Sequence, residues 1–176
     1  RCCTVNDIIR KIHVNASLQY DILIGPGLLK SAGELVSQLN PGKHLVIVSD
    51  DNVYPIYGEM LKESLKEQGI ETVKFVFPHG EHSKSMEVFE KLLEFMCENH
   101  ITRSDMVAAL GGGVTGDMAG FAAAVYQRGI RYVQIPTSLL ACVDSSVGGK
   151  TAINLKGGKN QAGCFYQPSL VICDTD

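Results

Sequence analysis

Three short stretches of this chain carry residue types suited to a phosphorylated or nucleotide ligand. In Leu110–Phe121, "LGGGVTGDMAGF", Gly111, Gly113 and Gly116 fit the spacing G-x-G-x-x-G directly after the apolar run Met106–Leu110. Glycine permits φ > 0 and close backbone approach, and a helix starting there offers free N–H groups and the positive end of its dipole to an anion. A pyrophosphate suits such a loop; a tight strand-to-helix turn is the lesser alternative. The acidic residue that grips a ribose about twenty positions on in a dinucleotide fingerprint is missing, since Arg131–Pro136 reads RYVQIP. Asp117 reads most simply as a first-turn carboxylate favoured by the helix dipole.

The second stretch, "DSSVGGKT", ends like a Walker loop in Gly149-Lys150-Thr151, but Asp144 stands where that loop opens on glycine. This argues against a P-loop nucleotidase. Lys150 and Lys159 share a Gly-rich, loop-like segment with Asn160, and Asp144 lies just ahead of it. A lysine there can reach a phosphate or carboxylate as a point charge. The third stretch, "HGEHSKS", contains His79, Glu81 and His82. Two histidines three apart beside Lys84 do not supply the three or four converging ligands that zinc takes, so no metal site is read here.

These residues sit in a chain of 176 residues with ordinary apolar and charged fractions, long enough for one well-buried domain. A formal net charge of -3 with mixed signs gives no basic patch for nucleic acid, and Trp is absent. No apolar run approaches a bilayer span, and the N-terminus lacks a signal core, so membrane insertion and secretion are not expected. Six cysteines (2, 3, 97, 142, 164 and 173) show no C-x-x-C spacing, which suits reduced thiols in a cytoplasmic protein. The adjacent Cys2 and Cys3 read as incidental.

Periodicity supplies the frame. "RKIHVN" and "QYDILIG" alternate as a hairpin at the domain's edge. Leu28, Leu29, Ala32, Leu35, Val36 and Leu39 fall at helical spacing, stopped by Asn40-Pro41-Gly42. "HLVIVSD" follows as a strand buried on both faces. A helix over Pro55–Gln68, the strand "TVKFVF", a helix over Lys84–Asn99 and the strand "DMVAAL" continue the alternation. The glycine loop then opens a small-residue helix, and "IRYVQIP" and "LVICDTD" complete the set. Alternation on this scale means a mostly parallel sheet with crossover helices on both faces. Ligands in such sheets bind outside the carboxyl ends of the strands. Ser49–Asn52, Pro78–Glu81, Gly111–Gly116 and Pro136–Ser138 all fall at those ends.

Taken together, "PHGEHSKS", "LGGGVTGDMAGFAAAVYQRG", "QIPTSLLACVDSSVGGKTAIN" and "GKNQAGCFYQP" resemble the 3-dehydroquinate synthase family of sugar phosphate cyclases, from about Ile12 to Asp176. The resemblance covers the N-terminal half of such an enzyme. It implies a Rossmann-like NAD-binding α/β domain over 1–176, followed beyond Asp176 by a helical domain carrying the ligands of a divalent metal, zinc or cobalt. It implies a homodimer that converts 3-deoxy-D-arabino-heptulosonate 7-phosphate to 3-dehydroquinate and phosphate, through transient alcohol oxidation, phosphate elimination, re-reduction and aldol closure. Related cyclases of the valiolone or inosose type, metal-dependent polyol dehydrogenases and a non-catalytic nucleotide-binding module remain as alternatives.

Position by position, the resemblance assigns Asp50 and Asn52 to the adenosine ribose, which accounts for the missing acidic residue downstream of the glycines. Glu81 and Lys84 are assigned to NAD, Gly112, Gly113 and Val114 to its pyrophosphate with Asp117 nearby, and Thr137, Ser138 and Lys159 to the rest of the cofactor. The substrate falls to Asp144, Lys150 and Asn160, with Arg128 reaching a phosphate from the neighbouring subunit. This chain departs from the commonest family pattern at Ser138, at Cys142 and at Asn154-Leu155-Lys156.

Overall fold

The structure is a computed structural model that describes residues 8–176; Cys2 and Cys3 lie outside the described residues. Nine strands and four α-helices follow one another as β1 (Arg10–Asn15), β2 (Gln19–Gly25), α1 (Ala32–Ser37), β3 (His44–Asp50), α2 (Glu59–Glu67), β4 (Glu71–Phe77), α3 (Met86–Glu98), β5 (Met106–Gly111), α4 (Gly113–Val125), β6 (Arg131–Pro136), β7 (Lys150–Leu155), β8 (Gly158–Phe165) and β9 (Leu170–Asp174). Seven strands form one sheet in the order β1-β2-β9-β6-β5-β3-β4. All neighbours run parallel except β1, which turns back on β2 as the expected edge hairpin.

Strand residues alternate between two apolar layers. Leu45 and Ile47 of β3, with Met106, Ala108 and Leu110 of β5, pack under α1 and α2 on one face. Val46, Val48, Val107 and Ala109 pack under α3 and α4 on the other. This is why β3 and β5 read as unbroken apolar runs rather than as alternating ones. The chain steps outward from β3 to β4 with α2 on the first face. It then steps back across β3 to β5, and on to β6, with α3 and α4 on the second, as a single crossover hand requires. The crossovers that leave β3 and β5 therefore diverge, and a crevice opens between the carboxyl ends of these two strands.

Two elements differ from the sequence reading. The first helix is shorter than the apolar spacing from Leu28 to Leu39 suggests, because the Asp174 carboxylate accepts the Gly27 and Leu29 N–H groups at 2.9 and 2.8 Å and holds that stretch in turns. Within α1, a Cβ on Gly33 would lie 1.9 Å from the Ser64 carbonyl oxygen, so α1 and α2 cross at a residue that must be glycine. The segment from Gly148 to Asn160 is not a loop: most of it lies in the antiparallel hairpin β7–β8. Thr151 and Ile153 point inward, 3% and 0% exposed, and Ile153 enters the core beneath α3 and α4. Five glycines between 148 and 163 mask this two-residue alternation in the sequence.

A buried carboxylate joins the starts of β3 and β5. Asp105 accepts the His44 N–H at 2.9 Å, the Thr102 N–H at 2.7 Å and the Thr102 hydroxyl at 2.8 Å. Burial alone would raise its pKa, but these three donors outweigh it and hold the carboxyl below its ordinary value of 3.8. The stabilisation this provides is complete above the ordinary value and is lost as pH falls through the depressed one. Asp105→Asn is expected to cost about 1.5–3 kcal/mol in urea unfolding at pH 7, with the difference from wild type shrinking as pH falls through the depressed value of Asp105.

Candidate functional site

The site is built at the carboxyl edge of the sheet. At the end of β3, Asp50 Oδ1 accepts the N–H groups of Asn52 and Val53 at 2.9 Å each, shaping the turn that leaves the strand and presenting Asn52 to solvent. Next to it, Asp51 Oδ1 accepts both the His79 N–H and its ring Nδ1–H at 2.8 Å, tying the β3 exit to the loop after β4. Those bonds from His79 hold the Asp51 carboxyl below its ordinary value. Gly80, at φ 102°, turns that loop through a conformation open to glycine, and Glu81–Ser83 form one tight helical turn.

That turn delivers Lys84 into the protein. Lys84 is 4% exposed, and its ammonium donates to Asp117 Oδ2 of α4 and to Asn160 Oδ1 of β8, the latter at 2.5 Å. Burial pushes the Asp117 carboxyl up; the Lys84 ammonium opposes this without cancelling it, and the Glu81 charge adds to the rise. Asp117 is the fifth residue of α4 and lies outside the first turn, which corrects the dipole reading. Its partner is a side chain from another element rather than the helix end.

The glycines divide their labour. The Gly111, Gly112 and Gly113 backbones all stay out of the left-handed region, so the loop uses glycine for space rather than for positive φ. A Cβ on Gly111 would strike Thr115, and one on Gly113 would lie 3.1 Å from Ser145 Oγ. Gly116 faces the Gln134 amide, and Gly120 faces Thr151 and the Tyr132 ring, so these two let α4 seat against the sheet and the hairpin. Gly112 is different: the nearest atom to an added Cβ is Ser138 Oγ at 3.6 Å, and no side chain caps the helix it opens. The first N–H groups of α4 thus face an open approach, as an anion site requires.

Beside this loop, Asp117, Asp144, Lys150 and Asn160 line one cleft of about 490 Å³, together with Thr151 and Ser145. Asp144 sits in the wide helical turn Ala141–Ser145, which Ser138 begins by accepting the Ala141 N–H at 3.3 Å. Thr137 and Ser138 leave β6 next to the glycines, with the Thr137 N–H donating to the Gly111 carbonyl at 3.0 Å. They line a second, more apolar hollow of about 780 Å³ with Leu139, Cys142 and Cys173. Lys159 and Arg128 stay apart from this gathering. Lys159 is exposed on β8 and is not among the residues lining the cleft, although its neighbour Asn160 is. Arg128 is exposed in the turn after α4, at the opposite end of that helix from the glycines. Asn154, which the sequence marks only as part of an unusual tripeptide and with no assigned role, bonds Glu81 and the Asn160 backbone, both at 2.8 Å. Among the described residues, no three His, Cys, Asp or Glu side chains gather as metal ligands, and no helix is long and apolar enough to cross a membrane.

A divergent-crossover crevice flanked by an uncapped glycine-headed helix defines a Rossmann-like α/β domain, here with an added hairpin carrying a lysine and an asparagine. Residues 74–176 match the family model described as 3-dehydroquinate synthase N-terminal, and the chain belongs to that family. It is 52% identical over 167 residues to the 3-dehydroquinate synthase of Rhizobium meliloti (strain 1021), covering 94% of this chain and 44% of that protein. The chain thus spans about half the length of the curated relatives it matches. Among solved structures, 2-deoxy-scyllo-inosose synthase complexed with carbaglucose-6-phosphate, NAD+ and Co2+ aligns with TM-score 0.88 at 28% identity, over 94% of this chain and 46% of that one. The 2-epi-5-epi-valiolone synthase of Streptomyces hygroscopicus subsp. jinggangensis 5008, with NAD+ and Zn2+ bound, aligns with TM-score 0.79 at 31% identity, over 94% and 45%.

The two ends of α4 are expected to respond differently to added bulk. Gly120→Val should destabilise the domain by about 1–3 kcal/mol, since Thr151 and Tyr132 are held in the core and cannot retreat. Gly112→Ala should stay within about 0.5 kcal/mol of wild type, as is usual where no buried contact is disturbed. Urea unfolding midpoints read both.

Proposed function

We propose that this chain is the NAD-binding half of a 3-dehydroquinate synthase. The enzyme converts 3-deoxy-D-arabino-heptulosonate 7-phosphate to 3-dehydroquinate and phosphate, and it works in the cytoplasm as a homodimer. The observation that carries this reading is the meeting of Asp117, Asp144, Lys150 and Asn160 in one cleft, directly beside the open end of α4. A polyol dehydrogenase needs only the cofactor side of that arrangement. A phosphorylated polyhydroxy acid calls for the cations and amides of the hairpin as well.

The residues present fit the cofactor. The unblocked Gly112 and the first N–H groups of α4 receive the pyrophosphate, Asp50 and Asn52 hold the ribose at the next strand end, and Thr137 and Ser138 flank the nicotinamide half. Glu81, Val114 and Lys159 complete its surroundings, and Lys84 braces Asp117 from within. When bound, NAD supplies the hydride acceptor for the alcohol being oxidised and later the hydride donor. Lys150 and Asn160 orient the substrate's carboxylate and hydroxyl groups, and Asp144 fixes a hydroxyl. Arg128, on the far side of the domain, serves a phosphate bound to the neighbouring subunit. A zinc or cobalt ion of the kind bound in the two solved relatives takes its ligands from outside the residues described here.

The complete natural polypeptide, given the heptulosonate phosphate, should release inorganic phosphate only when NAD is present; a dehydrogenase would release none. Gly112→Val should weaken NAD binding by about tenfold or more, because the approach to the helix end is filled, yet leave the unfolding midpoint nearly unchanged. Calorimetric titration with NAD and a phosphate-release assay measure the two effects, and an unaltered NAD affinity would count against the pyrophosphate assignment.

A further inference from the structure

The hairpin meets the loop after β4 through one residue. Asn154 lies where the regular pairing of β7 with β8 is interrupted, between Ile153 and Leu155. Its backbone N–H donates to the Lys84 carbonyl at 2.8 Å. Its side-chain Nδ2 donates to Glu81 Oε1 at 2.8 Å, and its Oδ1 accepts the Asn160 N–H at the same distance. All three partners belong to the proposed site, yet Asn154 is not among the residues lining the cleft.

Both of its main partners depend on being held. Asn160 has a φ of 54°, in the left-handed region, which costs a residue with a side chain free energy unless surrounding bonds fix it. That backbone aims the Asn160 side chain at the Lys84 ammonium while its residue borders the cleft. Glu81 is exposed, on a single helical turn with no other anchor for its carboxylate among its hydrogen bonds. A primary amide offers a donor and an acceptor on one short planar end. Aspartate at 154 would set a second anion against Glu81, and leucine would serve neither partner.

We infer that Asn154 is a positioning residue: it couples the cofactor-side loop at Glu81 to the substrate-side hairpin at Asn160, setting both without itself facing the cleft. This rests on the function proposed above, which assigns Glu81 to NAD and Asn160 to the substrate.

The test uses the complete natural polypeptide. Asn154→Asp keeps an oxygen for the Asn160 N–H but turns the donor toward Glu81 into an acceptor, so NAD affinity should fall by about tenfold. In a Glu81→Gln background the bond re-forms with its direction reversed, and the same substitution should cost less than about threefold relative to Glu81→Gln alone. Asn154→Leu, which loses both bonds, should lower kcat by about 100-fold as Asn160 moves, in protein whose unfolding midpoint stays near that of wild type. A merely structural role would give equal losses in both Glu81 backgrounds, or a kcat that falls only with the folded fraction. Either result overturns the inference. Wild-type polypeptide that neither binds NAD nor releases phosphate would instead sink the proposed function, and this inference with it.

Discussion

An ammonium group withdrawn from water must be met by charge and by hydrogen bonds, and Lys84 meets that demand by drawing two other elements to itself. Asp117 comes from the middle of α4 and Asn160 from the second strand of the hairpin. The three lie far apart in sequence, and no single element fixes their geometry. Removing either partner would leave a buried charge poorly matched, so the helix, the hairpin and the loop after β4 are held to one arrangement. The surroundings of Asp117 show the tension: burial raises its carboxyl, and the lysine opposes that rise.

What makes this arrangement useful is its place relative to the sheet. Diverging crossovers open the crevice between β3 and β5, and the glycine loop heads the helix that leaves β5. The small residues of α4 then decide how near that helix can come to its neighbours. Gly120 admits Thr151 of β7, which brings the hairpin against the same helix whose N-terminus faces the crevice. One helix thereby serves two ligands in the proposed reading, a cofactor at its uncapped end and a substrate along its flank.

How much of this could be read from residues alone follows from the range of the forces involved. β3 and β5 were legible because burial on both faces leaves an unbroken apolar signature, and α3 because its stripe has the helical period. α1 was over-extended, since nothing local announces that the Asp174 carboxylate, some 145 positions away, captures the preceding N–H groups. The hairpin was hidden by its glycines, one of which, Gly163, is demanded by contact with the Thr151 carbonyl across the ladder. Of the candidate site, the glycine loop and the Gly149-Lys150 segment were visible as motifs. Lys84 was visible only through family resemblance, and its burial and partners were not visible at all. Asn154 drew notice as part of an unusual tripeptide, though its hydrogen bonds depend on a register break that the sequence does not mark.

The same connectivity bears on how substitutions in this half should combine. Groups that share a hydrogen-bonded partner do not contribute independently, because the loss of one changes what the others can reach. Lys84 is shared by Asp117 and Asn160, and the Asn160 backbone is held by Asn154, which also holds Glu81. In the proposed reading, cofactor-side and substrate-side residues therefore form one network rather than two adjoining sites. Changing the hairpin without disturbing the loop after β4 requires Asn154 and Lys84 to keep their partners. The freedom to vary lies instead at the hairpin's exposed tip, Leu155–Gly157, where no added Cβ at Gly157 would meet a neighbour.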